Sequence, residues 1–296
     1  MIHMKYVIAL GGNALGEQSA IDKVAKEVVK AYLKGSKIVL THGNGPQVGE
    51  LAEEQHRNLA VLTAETQAWI GSVIKEELER ELSKSKGADN DIVDVVITEA
   101  VVDRGDKAFS DPTKPIGRFY TAREAAIGRK QGLVIKKLIG GYRRVVPSPT
   151  PKRIAQIDII QRLLKEGRIV IACGGGGMAV SHNAGKLEYV DAVIDKDRAS
   201  ALLAKEIGAD KLFILTNVDG AYLNYRKKGE ELIRKITAAE LKKYLKKGQF
   251  EEGSMKPKVE SCIDFVESTK KSAGIGNLGN PREVLLLKKL TLITPD

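Results

Sequence analysis

A chain of 296 residues can bury one large core or fold as two lobes sharing a cleft. Its 43% hydrophobic and 29% charged residues exclude a disordered or fibrous chain. The net charge of +10 does not point to nucleic acid: lysines alternate with glutamates at 75–86 and 242–252, aromatics make up only 5%, and no basic block carries interleaved aromatics, so a solvated surface and small anionic ligands account for the excess.

In chain order, 6–10 reads as an apolar strand, 20–33 as an amphipathic helix, 37–41 as a second strand, 63–82 as a helix and 92–98 as a strand. Residues 102–151 break the alternation with Pro112, Pro115, Pro147, Pro149 and Pro151, and with Arg143-Arg144. They read as an excursion from the main sheet, a subdomain or a lid. The alternation resumes with a helix at 153–165 and strands at 168–172 and 190–194. A helix at 199–207 and a strand at 211–216 follow, then helices at 238–245 and 258–271 and a strand at 283–287. Apolar strands alternating with amphipathic helices predict an α/β protein whose mostly parallel sheet is covered on both faces.

Cys173 and Cys262 lie in apolar contexts without metal-ligand spacing and read as buried small hydrophobes. No apolar run approaches the roughly 20 residues that cross a bilayer, and the first residues lead straight into a strand. A cytoplasmic protein with no membrane partner is expected.

Three glycine clusters follow predicted strands: GGN at 11–13, GNG at 43–45 and GGGG at 174–177. Backbone N–H groups in such turns approach an oxyanion closely because no Cβ intervenes. One cluster alone would be a tight turn; three at strand ends point to a shared anion cleft. Lys196 stands between Asp195 and Asp197 at the end of an apolar run, Lys114 between Pro112 and Pro115, and Lys258 just after Pro257. An isolated lysine is usually a solvated charge, but stiffened backbone favours a positioned one. Glycine loops with fixed lysines suit phosphoryl transfer, which needs alignment and charge neutralisation rather than proton chemistry. Asp195 and Asp197 read as orienting Lys196 or contacting Mg²⁺, with a plain salt bridge equally open for Asp195. LTNVDGAY at 215–222 is either a bare turn or a nucleotide cradle with Tyr222 against the base. His42 reads as a turn-stabilising residue rather than a base. No G-x-x-x-x-G-K-[ST] occurs, and the polar, turn-like sequence after GGGG argues against a dinucleotide fold.

Together these strings resemble the amino-acid kinase superfamily and, within it, the carbamate kinases. The matches are VIALGGNAL (7–15), THGNGPQVG (41–49), AETQAWIG (64–71), DPTKPIG (111–117), YRRVVPSP (142–149), GGGG, VIDKDRASALLA (193–204), LTNVDGAY and GSMKPKVES (253–261). They run from residue 5 to about 270. Ala9 stands where acetylglutamate-type members carry a lysine, a feature this chain shares with carbamate kinases. The resemblance implies a single three-layer α/β/α sandwich over 1–296. Its acceptor lobe would span about 1–190, its nucleotide lobe about 191–296, and a projecting subdomain about 102–151. It implies a homodimer and reversible transfer between ATP and carbamate, giving ADP and carbamoyl phosphate, with Mg²⁺ and no metal held by the protein alone. Residue by residue, Gly11, Gly12, Asn13, Gly43, Asn44, Gly174 and Gly175 would bind phosphoryl group and acceptor. Lys114, Lys196 and Lys258 would neutralise the transition state, with Asp197 organising them. Asp195, Thr216, Asn217, Tyr222, Met255 and Pro257 would lie near the nucleotide. Met178-Ala179-Val180 lacks the proline usual after GGGG, a change expected to bear on the acceptor pocket. A paralogue for another small acid and a non-catalytic nucleotide sensor are the alternatives; the three lysines argue against the sensor.

Overall fold

The computed structural model describes residues 4–11, 18–55, 57–85, 91–138, 140–183 and 185–296. The chain enters with strand β1 (Lys5–Leu10), helix α1 (Gln18–Leu33), strand β2 (Lys37–His42) and helices α2 (Gly45–Glu54) and α3 (Leu59–Leu82). Strands β3 (Val93–Val95) and β4 (Glu99–Val101) precede the excursion, which holds β5 (Lys114–Tyr120), α4 (Ala122–Lys130), β6 (Ile135–Leu138) and β7 (Gly141–Val146). Next come β8 (Arg153–Ile154), α5 (Ile157–Lys165), β9 (Ile169–Ile171), β10 (Met178–Asn183), β11 (Lys186–Val193) and α6 (Lys196–Glu206). The last part runs through β12 (Lys211–Thr216), β13 (Tyr222–Leu223), β14 (Glu231–Leu232), β15 (Lys235–Thr237) and α7 (Ala238–Lys246). It ends with α8 (Met255–Thr269), β16 (Ser272–Asn277), α9 (Pro281–Leu285) and β17 (Thr291–Thr294).

The spine is an eight-stranded sheet of order β15-β17-β16-β12-β1-β2-β9-β3. β17 runs antiparallel to β16; the other neighbours pair in parallel. β1 shows why the sheet must be covered twice. Its period of two sends Val7 and Ala9 to one face and Ile8 and Leu10 to the other, and all four are buried. Apolar faces of α5, α6, α7 and α8 pack on the first side, those of α1, α3 and α9 on the second. The result is the three-layer α/β/α sandwich expected. Cys173 and Cys262 are fully buried, and among the described residues no helix is long and apolar enough to cross a membrane.

Several elements depart from the sequence reading for physical reasons. The predicted strand at 283–287 is mostly helix α9, because Pro281 pre-sets the first helical turn and a short apolar run fits either period. The edge strand is instead β17. The predicted helix at 153–165 begins only at Ile157; Arg153–Ile154 is pulled into a ladder with β4, and Gln156 Oε1 accepts from the Glu99 N–H at 2.7 Å. The run 92–98 is split between β3 in the main sheet and a loop to β4 in a second sheet of order β11-β10-β4-β8. That sheet also takes 190–194: the polar stretch after GGGG is the hairpin β10–β11 rather than a turn. Helix α2 was not foreseen; Pro46 at its start and buried Val48 and Ala52 carry it. The excursion is a three-stranded antiparallel sheet, β5-β7-β6, with α4 beside it.

Candidate active site

Four adjacent strands, β12, β1, β2 and β9, bring their carboxyl ends together. Thr216 ends β12, Gly11 follows β1, Gly43 follows β2, and Gly174 lies just beyond β9. Backbone bonds lock these ends to one another: Gly11 N–H donates to Leu215 O at 3.0 Å, and Gly43 N–H to Leu10 O at 3.2 Å. Gly12 and Asn13 lie outside the described residues. In the GGGG loop, Gly175 has φ +60 and Gly176 φ +94, the left-handed region that favours glycine. A Cβ on Gly174 would fall 2.4 Å from His42 Nε2, and one on Gly175 2.2 Å from Asn44 Nδ2. The GGGG and GNG loops therefore touch because side chains are missing.

Helix α3 clamps both loops from behind. Asn44 Nδ2 donates to Thr66 Oγ1 at 2.8 Å. Gln67 Oε1 accepts from the Thr98 N–H and hydroxyl, and Thr98 Oγ1 accepts from the Cys173 N–H at 2.9 Å. Thr66 and Gln67 belong to AETQAWIG, the string that resembled the family without a stated role.

The charged groups come from three elements. Asp195 caps α6, its Oδ1 accepting from the Asp197 N–H at 2.9 Å, while its Oδ2 accepts from Lys114 Nζ of β5 at 2.5 Å. Asp197 receives Lys196 Nζ on Oδ1 at 2.5 Å and Lys258 Nζ, from the first turn of α8, on Oδ2 at 2.9 Å. Burial would raise both aspartates, but the lysines hold Asp195 (Lys114 foremost) and Asp197 (Lys196, then Lys258) below the ordinary carboxylate range. Burial pushes Lys196 down, partly offset by Asp197. For Lys258 burial acts downward too, and Asp197 overcomes it to leave the ammonium above its usual value. Three ammoniums against two carboxylates leave one net positive charge facing a small cavity, a setting made for an anion.

That cavity, about 260 Å³, is lined by Gly43, Asn44, Lys114, Gly175, Lys196 and Lys258, with Asp195, Asp197 and Pro257 on the same wall. Asp195 and Pro257, expected beside the nucleotide, thus sit with the lysines. Gly11 and Gly174 support the loops and are not among its lining residues. A second cavity of about 660 Å³ is lined by Thr216, Asn217, Tyr222 and Met255, and Ser254 borders both. Sequence reasoning missed Arg143 in the first cavity: its Nη2 donates to Gly117 O at 2.5 Å, while its buried Nε has no partner. The RR pair had been seen, but nothing local said that β7 would turn one arginine inward. Met178, Ala179 and Val180 are ladder residues of β10, paired to β4, and none lines the cavity. Their departure from the family pattern therefore lies in a strand and not in the lining of this cavity. His42 is buried, bonded through Nδ1 to Gly43 O at 3.1 Å, and burial pushes it down to about 4.

The amino acid kinase family model matches residues 4–277. The chain belongs to that family. Within it, the kinship is with carbamate kinases: that of Pyrococcus horikoshii is 42% identical over 98% of this chain and 99% of its own. Carbamate kinase from Giardia lamblia bound to AMP-PNP superposes with a TM-score of 0.87 at 36% identity, covering 100% of this chain and 99% of that one. The same enzyme bound to citric acid gives 0.90 at 35%, with the same coverage. An N-acetylglutamate synthase from Neisseria gonorrhoeae, at 18% identity, covers 99% of this chain and 62% of its own and shares the fold alone, TM-score 0.60.

Proposed function

We propose that this family member is an ATP-dependent carbamate kinase, moving a phosphoryl group reversibly between ATP and carbamate. The observation that carries the reading is the Lys114–Asp195 and Lys196–Asp197–Lys258 constellation beside touching glycine loops. In this reading the transferring group lies in the smaller cavity. Backbone N–H groups of GNG and GGGG cradle oxygens, and the three ammoniums neutralise charge as it spreads over the equatorial oxygens. Asp197 keeps Lys196 and Lys258 at a fixed separation. The larger cavity takes the nucleotide, with Tyr222 and Met255 as apolar walls. The chain divides functionally into an acceptor lobe, about 1–190, and a nucleotide lobe, about 191–296, with Lys196 and Lys258 reaching back from the second to the first.

Among the described residues no three acidic, histidine or cysteine side chains cluster as a metal cage. Asp195 and Asp197 already give their oxygens to lysines and to the α6 cap. Mg²⁺ is therefore read as part of the MgATP substrate, held by phosphates and water.

Arg143 favours a second reading, a larger acid whose extra carboxylate it would pair. ATP formation from ADP with carbamoyl phosphate, acetyl phosphate and acetylglutamyl phosphate separates the two. Carbamoyl phosphate is expected to be turned over best, acetyl phosphate less and acetylglutamyl phosphate not at all. Robust use of the bulky acyl phosphate with none of carbamoyl phosphate would leave a kinase but overturn the carbamate assignment.

A further inference from the structure

Lys114 reaches the acceptor cavity from β5, outside the main sheet, so something must fix that strand against the body. The contact is a seam between α2 and β5 in which two backbones touch. A Cβ built on Gly49 would fall 1.9 Å from Gly117 N and 2.1 Å from Gly117 Cα. No side chain of any size fits there. Gly117 is required for a separate reason: its φ is +66, and its own Cβ would meet Glu53 Oε1 at 3.2 Å.

One turn beyond Gly49, on the same face of α2, Glu53 accepts from the Tyr120 hydroxyl at 2.7 Å and from Arg118 Nε at 3.2 Å. On the other side Arg143 donates to Gly117 O. The β5–β7 ladder loses register between Ile116 and Tyr120, where the strand bends onto the helix. The lever arms are short. Gly45 of the GNG loop precedes Gly49 by one helical turn, roughly 6 Å of rise, and Lys114 precedes Gly117 by about 10 Å of strand.

We propose that the Gly49–Gly117 seam, locked by Glu53 and Tyr120, is a positioning device that sets the distance between the Lys114 ammonium and the glycine loop at the start of α2. Gly49 touches no substrate; it acts through Lys114. This rests on the kinase reading above, since the group positioned is the one that would meet the phosphoryl oxygens. A displacement of about 1 Å in such a group can cost on the order of 10²-fold in rate.

The test is a double-mutant cycle of Gly49→Ala and Lys114→Ala, followed by luminescent detection of ATP formed from ADP and carbamoyl phosphate, with ADP affinity measured by calorimetry. Gly49→Ala is expected to lower kcat by about tenfold or more while ADP binding stays within about twofold. On the Lys114→Ala background it is expected to cause no further loss. Unchanged kcat, or losses that simply multiply, would overturn the proposal. If Gly49→Ala does not yield folded protein by circular dichroism, Tyr120→Phe enters the same cycle. It removes one hydroxyl at the seam's edge, and its smaller loss must vanish when Lys114 is absent; a loss that persists overturns the idea. A wild type inactive on carbamoyl phosphate would refute the acceptor assignment, not the seam, and the cycle then runs on whichever acyl phosphate the wild type uses.

Discussion

Asp197 gives one oxygen to Lys196 and the other to Lys258, so two ammoniums are held apart by one carboxylate. Removing Lys196 takes away a preorganised charge. Lys196→Ala is expected to lower kcat on the order of 10²-fold or more. Because Lys196 is buried, the variant should also lose roughly 1–3 kcal/mol of stability as Asp197 keeps only one lysine partner. Steady-state turnover at a temperature where circular dichroism shows the variant folded checks this; near wild-type turnover would remove Lys196 from the mechanism. His42 gives a pH prediction. Its folded pKa of about 4 lies below the ordinary value of 6.5, so the unfolded chain binds the extra proton first as pH falls. Its contribution is complete above pH 6.5 and lost on the way down through about pH 4, about 3 kcal/mol in all. Urea midpoints should therefore drop between pH 7 and pH 5, and His42→Gln should flatten that slope; an equal slope in the variant would assign the effect elsewhere. The lysines and glycines of this site were legible because their backbone settings were unusual in the sequence. Arg143 was not, because its direction depends on how β7 pairs with β5 in a sheet no local pattern announces.

At the scale of elements, the excursion meets the body through the α2–β5 seam and through the Lys114–Asp195 bridge across the cavity. If it closes on the acceptor, its amide exchange should slow when carbamoyl phosphate binds, while β1, β2 and β12 change little. Unchanged exchange at saturation would leave it a fixed wall. The same element shows why sequence reading stops where it does. Prolines and an arginine pair marked its limits, yet not that it forms three antiparallel strands. α2 escaped notice because its glycines read as a loop; one of them, Gly49, lets β5 approach. The end of the chain misled for the opposite reason, since Val284-Leu285-Leu286 has the apolar look of a strand while Pro281 starts a helix.

For the whole molecule, the parallel sheet was legible because β1, β2, β9 and β12 are apolar on both faces, which only a doubly covered sheet satisfies. The second sheet was not, since β10 and β11 carry polar residues on an exposed side. That side, with α3, leaves Trp69 58%, Tyr189 53% and Leu187 40% exposed. If the chain pairs as the resemblance implies, these exposed apolar residues are the expected contact. Light scattering is expected to give twice the 32.2 kDa chain mass, and Trp69→Glu to shift it toward one chain; a wild type that runs as a monomer would remove the contact. The smaller cavity has one wall defined by absent side chains and another by present ones. The GGGG stretch has no room for drift, since a carbon added at Gly174, Gly175 or Gly176 would lie 2.2 to 2.5 Å from a neighbouring atom. Divergence toward a new acceptor, in a lineage or in a directed-evolution library, is therefore channelled into the excursion, where Lys114 and Arg143 can change without dismantling the sheet.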